Sequence, residues 1–129
     1  MALLLPAVGV ACAQDTHSAS WPNLVIARQQ DAIDRGWVPE FLPEETYDIR
    51  QLNRPTTEEA AVTGTLAVDI ELPECTGAGD TTLPDLDAPW FPDEMAGEVV
   101  TCPDGWLLHR NGATLYLWRL ADDDEEATA

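Results

Sequence analysis

Gly105-Trp106-Leu107-Leu108-His109-Arg110-Asn111-Gly112-Ala113-Thr114-Leu115-Tyr116-Leu117-Trp118-Arg119 is the stretch whose reading decides the fold. Asn-Gly readily takes the positive backbone angles of a tight hairpin turn, and it lies here between two apolar runs. In the second run Leu115 and Leu117 alternate with Tyr116 and Trp118, the period of a strand. The stretch predicts an antiparallel pair over residues 106–109 and 114–119. Upstream, Glu98-Val99-Val100-Thr101-Cys102 reads as a strand over 99–102. Leu66, Val68, Ile70 and Leu72 share one face of a strand over 65–72, and Thr46-Tyr47-Asp48-Ile49-Arg50-Gln51-Leu52 supplies one over 47–52. Residues 53–59 read as a turn, and residues 73–89, rich in Gly, Pro, Thr and Asp, as a long loop.

The N-terminal third has a different period. After Trp21-Pro22-Asn23, the residues Ile26, Gln29/Gln30 and Ile33 form a helical stripe. Pro22 suits a first helical turn and Gly36 a terminator. Arg35-Gly36-Trp37-Val38-Pro39-Glu40-Phe41-Leu42-Pro43 follows. Its two prolines, four apart, deny it regular structure, so it reads as an ordered loop pinned by aromatics. The fold class expected is α+β: one N-terminal helix packed on a small, mostly antiparallel sheet of four or five strands.

Residues 1–13 carry no charge and end in Ala11-Cys12-Ala13, an apolar run before a small-x-small cleavage site. The run is too short, and too interrupted by Pro6, to span a bilayer. Two processing routes fit. Cleavage after Ala13 leaves Gln14 first; alternatively Gly9-Val10-Ala11-Cys12 resembles a lipobox and makes Cys12 a lipidation candidate. The expected organisation is a signal or lipoprotein signal segment at 1–13 and a tether at 14–20. A single α+β domain at 21–120 and an acidic disordered tail at 121–129 follow. The expected location is outside the cytoplasm, periplasmic or lipid-anchored at the cell envelope. Either route leaves Cys75 and Cys102 as a pair. Their spacing suits neither a zinc site nor a redox dithiol, so a disulfide is expected, worth about 3–4 kcal/mol in the chain-entropy model.

Charge and residue supply narrow the function. The chain has 24 acidic residues against six basic ones, all arginine, for a net charge of −18. Such a field repels phosphate backbones, so no nucleic acid is expected as a partner. Contact with a membrane is expected only through a lipid on Cys12. The lack of lysine removes phosphate-binding Gly-Lys loops, Schiff bases and Ser-Lys dyads. Serine occurs only at Ser18 and Ser20. His17 and His109 are isolated imidazoles. Asp80, Asp85 and Asp87 fall in the Gly-rich loop without the calcium-loop pattern. No catalytic residue, metal ligand or cofactor is assigned and the chain is not expected to be an enzyme. The expected role is a non-catalytic envelope domain that binds or supports a protein partner. The alternatives are a small envelope hydrolase using paired carboxylates and a weak divalent-cation binder.

The run Arg35-Gly36-Trp37-Val38-Pro39-Glu40-Phe41-Leu42-Pro43, with Asp48-Ile49 after it, resembles a signature of small exported bacterial proteins of unknown function. Trp90-Phe91-Pro92 and Tyr116-Leu117-Trp118-Arg119 fall where that family places a Trp-x-Pro segment and a closing Tyr-x-Trp-Arg strand. The resemblance implies an exported or lipid-anchored domain and brings no activity with it. Within the run, Arg35, Trp37 and Phe41 form a possible interaction surface, since Trp and Arg dominate interface hot spots. The competing assignment places Trp37, Phe41, Trp90 and Trp118 in the core.

Overall fold

The structure, a computed structural model, describes residues 16–67, 70–95 and 97–121. The signal segment with Cys12, the first two tether residues and all of the acidic tail except Ala121 lie outside the described residues. The elements in chain order are β1 (His17–Asn23), α1 (Leu24–Gln29), β2 (Tyr47–Arg54), β3 (Glu59–Thr65), β4 (Val100–Thr101), a 3-10 turn (Pro103–Gly105), β5 (Leu107–Asn111) and β6 (Thr114–Arg119). The six strands form one sheet in the order β1-β2-β3-β6-β5-β4, and every pairing is antiparallel. Two three-stranded meanders thus meet along β3 and β6.

This corrects the expected α+β domain with four or five strands. The extra strand is β1: His17–Ser20, read as part of the tether, pair with β2, and Trp21 at its far end is buried. The sequence hides this strand because Ser18 and Ser20 face water and Pro22 interrupts it. Both features are tolerated on an edge strand. The helix shrinks to six residues. The Asn23 side chain accepts the Ile26 N–H at 2.9 Å and starts it. Asp31, in the left-handed region at φ 63°, turns the chain away soon after it ends. The strand expected over 65–72 also shifts to β3, Glu59–Thr65, whose first six residues are buried. Leu66 is buried beyond its end, and Val68 and Asp69 lie outside the described residues.

Alternation along the strands builds two apolar layers. One face carries Trp21, Ile49, Val62, Leu108, Leu115 and Leu117, clustered with Leu24, Ala27, Val38 and Leu42. The other carries Leu107 and Trp118, which meet Val99, Leu83 and Phe91. The loop over this second face is pinned by polar bonds. Trp118 donates its indole N–H to the Thr82 carbonyl at 2.8 Å. Arg54 pairs with Glu59 at 2.8 Å, and the other Glu59 oxygen accepts the Asp85 N–H at 2.9 Å. Burial alone would raise the Glu59 pKa; the bonds from Asp85, Thr57 and Arg54 outweigh it and hold the carboxyl below its ordinary value. Cys75 and Cys102 are joined by a disulfide, which ties the start of the long loop to the end of β4.

Candidate functional site

The strand register sets one row of side chains across the first face: His17 opposite Asn53, Asn53 opposite Ala60, and Ala60 opposite Arg119. Paired residues in antiparallel strands project to the same side. Ala60 offers only a methyl, so the row is low in the middle with polar groups on both flanks. Over it lies the Arg35–Trp37 segment. The Trp37 N–H donates to the Ala32 carbonyl and the Gly36 N–H to the Ile33 carbonyl, each at 2.9 Å. Gly36, at φ 79°, makes the bend that lets Arg35 and Trp37 approach the same place.

The result is a stack beside a cleft. The His17 ring lies 4.1 Å from that of Trp37 at 22°, and the Arg35 guanidinium sits 5.0 Å from the Trp37 ring centre. The Gln51 amide nitrogen lies 2.9 Å from His17 Nδ1 and donates to the His17 carbonyl at 3.3 Å, which holds the ring in the stack. The cleft itself, about 350 Å³, is lined by Arg35, Gly36, Trp37, Asn53, Pro55, Glu58 and Arg119. Arg119 is fixed from three sides: Nε donates to the Glu58 carbonyl at 3.2 Å, Nη2 donates to the Gly36 carbonyl at 3.4 Å, and the guanidinium covers Trp106 at 4.7 Å. Glu58 presents that carbonyl from the left-handed region, at φ 66°, a conformation that costs a non-glycine residue energy and clusters at working sites. Two amide oxygens beneath the stack, Gln51 Oε1 and Asn53 Oδ1, are buried with no hydrogen-bond partner. Buried polar atoms left unsatisfied are few in folded proteins, so two on alternate residues of β2, sharing one face, mark this end of the sheet.

Of the residues singled out from sequence, Arg35 and Trp37 are brought together on this cleft. Phe41 is not among its lining residues; it packs against the main apolar cluster. His17, Asn53, Glu58 and Arg119 were missed, because only strand register places them beside Arg35. The Trp-Arg pair within Tyr116-Leu117-Trp118-Arg119 was the available signal for Arg119. The loop aspartates Asp80, Asp85 and Asp87 are all exposed; Asp80 accepts the Thr82 N–H and hydroxyl, which lowers its pKa. Among the described residues no group of three or more His, Cys, Asp or Glu side chains is placed to hold a metal ion. No helix among the described residues is long and apolar enough to cross a membrane.

Residues 15–63 match the family model of the YbbD head domain. The similarity covers over a third of the chain. It runs from the edge of β1 to within β3, so it includes His17, Arg35, Trp37, Asn53 and Glu58 and stops short of Arg119 and the disulfide. No curated protein and no solved structure matches the chain.

Proposed function

We propose that this chain is a non-catalytic domain of the cell envelope that binds a protein partner through the Arg35–Trp37 cleft. The observation that carries the reading is the stack of His17, Trp37 and Arg35 on the rim of a cleft whose far wall is the backbone-pinned Arg119. Aromatic and arginine side chains held in place before binding lose little freedom on contact, which is why they carry binding energy. Export is supported by the apolar residues 1–13 and by the Cys75–Cys102 disulfide, since such bonds persist in oxidising compartments. Lipidation at Cys12 and cleavage before Gln14 both fit that reading, and mass spectrometry of the mature N-terminus separates them.

The test is site-specific photo-crosslinking in intact cells. A crosslinking residue at position 55, exposed on the cleft and leaving Arg35 and Arg119 in place, captures a discrete protein, and one at Thr101 of β4, on the opposite edge of the sheet, does not. Trp37→Ala removes that product while the domain stays folded. The ring contacts it loses are worth about 0.5–1.5 kcal/mol for the stack and about 0.5–1 kcal/mol for the cation–π pair. The half-buried ring also gives up packing against the main apolar cluster, so the folded fraction of the variant is checked by thermal unfolding. Equal capture from both positions, or capture unaffected by Trp37→Ala, refutes the cleft as the binding surface.

A further inference from the structure

We infer that the cleft is a carboxylate subsite that takes the free C-terminal end of a neutral or basic peptide segment. This deepens the partner-binding reading and rests on it. Acidic residues outnumber arginines by 24 to six, and Arg28 and Arg54 are ion-paired with Glu44 and Glu59. Arg35 and Arg119 make no ion pair among the described residues, and both line this one cleft. Two guanidiniums side by side in one cleft, neither neutralised by a carboxylate of the described residues, present a positive pair suited to an anion. That of Arg119 is already oriented, because the Glu58 and Gly36 carbonyls and the Trp106 face fix it, and three of its five N–H groups have no acceptor in those contacts. Fixed guanidiniums bind carboxylates through paired, charge-assisted hydrogen bonds.

Two further features select the kind of carboxylate. Asn53 is 8% exposed, lines the cleft, and leaves its Oδ1 without a donor. A ligand that brings an N–H next to its anion answers that oxygen, and the last residue of a peptide does so. Glu58, exposed on the rim and making no ion pair among the described residues, receives a positive charge further along the ligand. The net charge of −18 acts in the same direction. It repels phosphate dianions and acidic segments at long range and attracts basic ones, so the single negative charge must arrive on an otherwise neutral or positive carrier.

The experiment is an NMR titration of the full chain with four probes: acetyl-Lys-Ala-Ala with a free carboxyl end, its C-terminal amide, acetyl-Lys-Asp-Ala-amide and inorganic phosphate. The free acid shifts the Arg35 and Arg119 Nε–H signals and the Trp37 indole signal saturably, with a dissociation constant of order 1–10 mM. The other three bind at least about tenfold more weakly, the loss expected for one charge-assisted contact. Arg35→Gln and Arg119→Gln each weaken the free acid by a similar factor. Arg35 is an exposed turn residue, so its variant decides the matter should Arg119→Gln lose the fold. Absence of a saturable shift, equal binding of the amide, aspartyl or phosphate probe, or unchanged affinity in Arg35→Gln overturns the inference. Failure here with position-55 crosslinks intact leaves the partner reading standing; loss of the crosslinks removes both.

Discussion

Gly64 in β3 stands opposite Leu115, on the face that carries the main apolar cluster, and Gly64→Ala measures how tightly that layer is built. A methyl group there would lie 2.7 Å from Thr46 Cγ2 and 3.7 Å from Ile49 Cγ1. Thr46 and Ile49 are both fully buried, so neither can swing aside. Overpacking of this kind costs about 1–3 kcal/mol, and alanine's smaller unfolded-state freedom returns about 0.4–1 kcal/mol. The net expectation is a loss of about 1–2 kcal/mol. Thr46→Ser removes the colliding Cγ2. Alone it costs about 1 kcal/mol, as deletion of one buried methyl does. Combined with Gly64→Ala it moves a methyl across the same gap, so the double variant is more stable than the two losses added, with a coupling of about 1–2 kcal/mol. Urea unfolding followed by tryptophan fluorescence reads this as a midpoint change at constant slope. An unchanged midpoint for Gly64→Ala, or losses that simply add in the double variant, would refute the packing argument.

Replacing Cys75 and Cys102 together by serine should lower stability by about 3–4 kcal/mol, the loop-entropy value for this spacing, in the same urea assay. Glu59→Gln should cost about 1–3 kcal/mol at neutral pH, since it strips charge from three hydrogen bonds. Because the folded pKa of Glu59 is depressed, its contribution is complete above the ordinary value of 4.5 and is lost as pH falls through the lower folded value. The stability gap between wild type and Glu59→Gln should therefore close in acid, and a gap that widens below pH 4.5 would contradict the arrangement.

The second meander was legible in the sequence because its signals are local. Asn111-Gly112 marks the β5–β6 hairpin, although the turn itself falls one residue on, over Gly112 and Ala113 with Asn111 closing β5, and residues 114–119 form β6 with the expected boundaries. The first meander was legible only at β2. Along β3, Ala60, Ala61 and Val62 are buried on both faces, so no alternation exists to be seen, and the neighbouring Leu66, Val68, Ile70 and Leu72 supply a stronger pattern. The helical stripe of residues 26–33 outlasts the helix because Ile33 packs against the core from a turn. Arg35 and Trp37 stood out by residue type. Their cleft partners did not, since Asn53 and Arg119 are 66 positions apart in the chain and adjoin only through the register of three strands.

The β3–β6 seam also sets an order of events in folding. Joining Thr65 to its partner Thr114 closes a segment of about 48 residues, whereas the β5–β6 hairpin closes over Gly112 and Ala113 alone. Chain-closure entropy makes the seam about 3 kcal/mol harder to form than that turn, so the hairpin leads and the encounter of the two meanders limits the rate. The Cys75–Cys102 bond lies wholly inside the long segment and short-circuits 27 positions of it. That shortening eases closure by about 0.7 kcal/mol. Oxidation thus acts on how quickly the two halves of the sheet find each other, and a reduced chain reaches the same seam by the longer route.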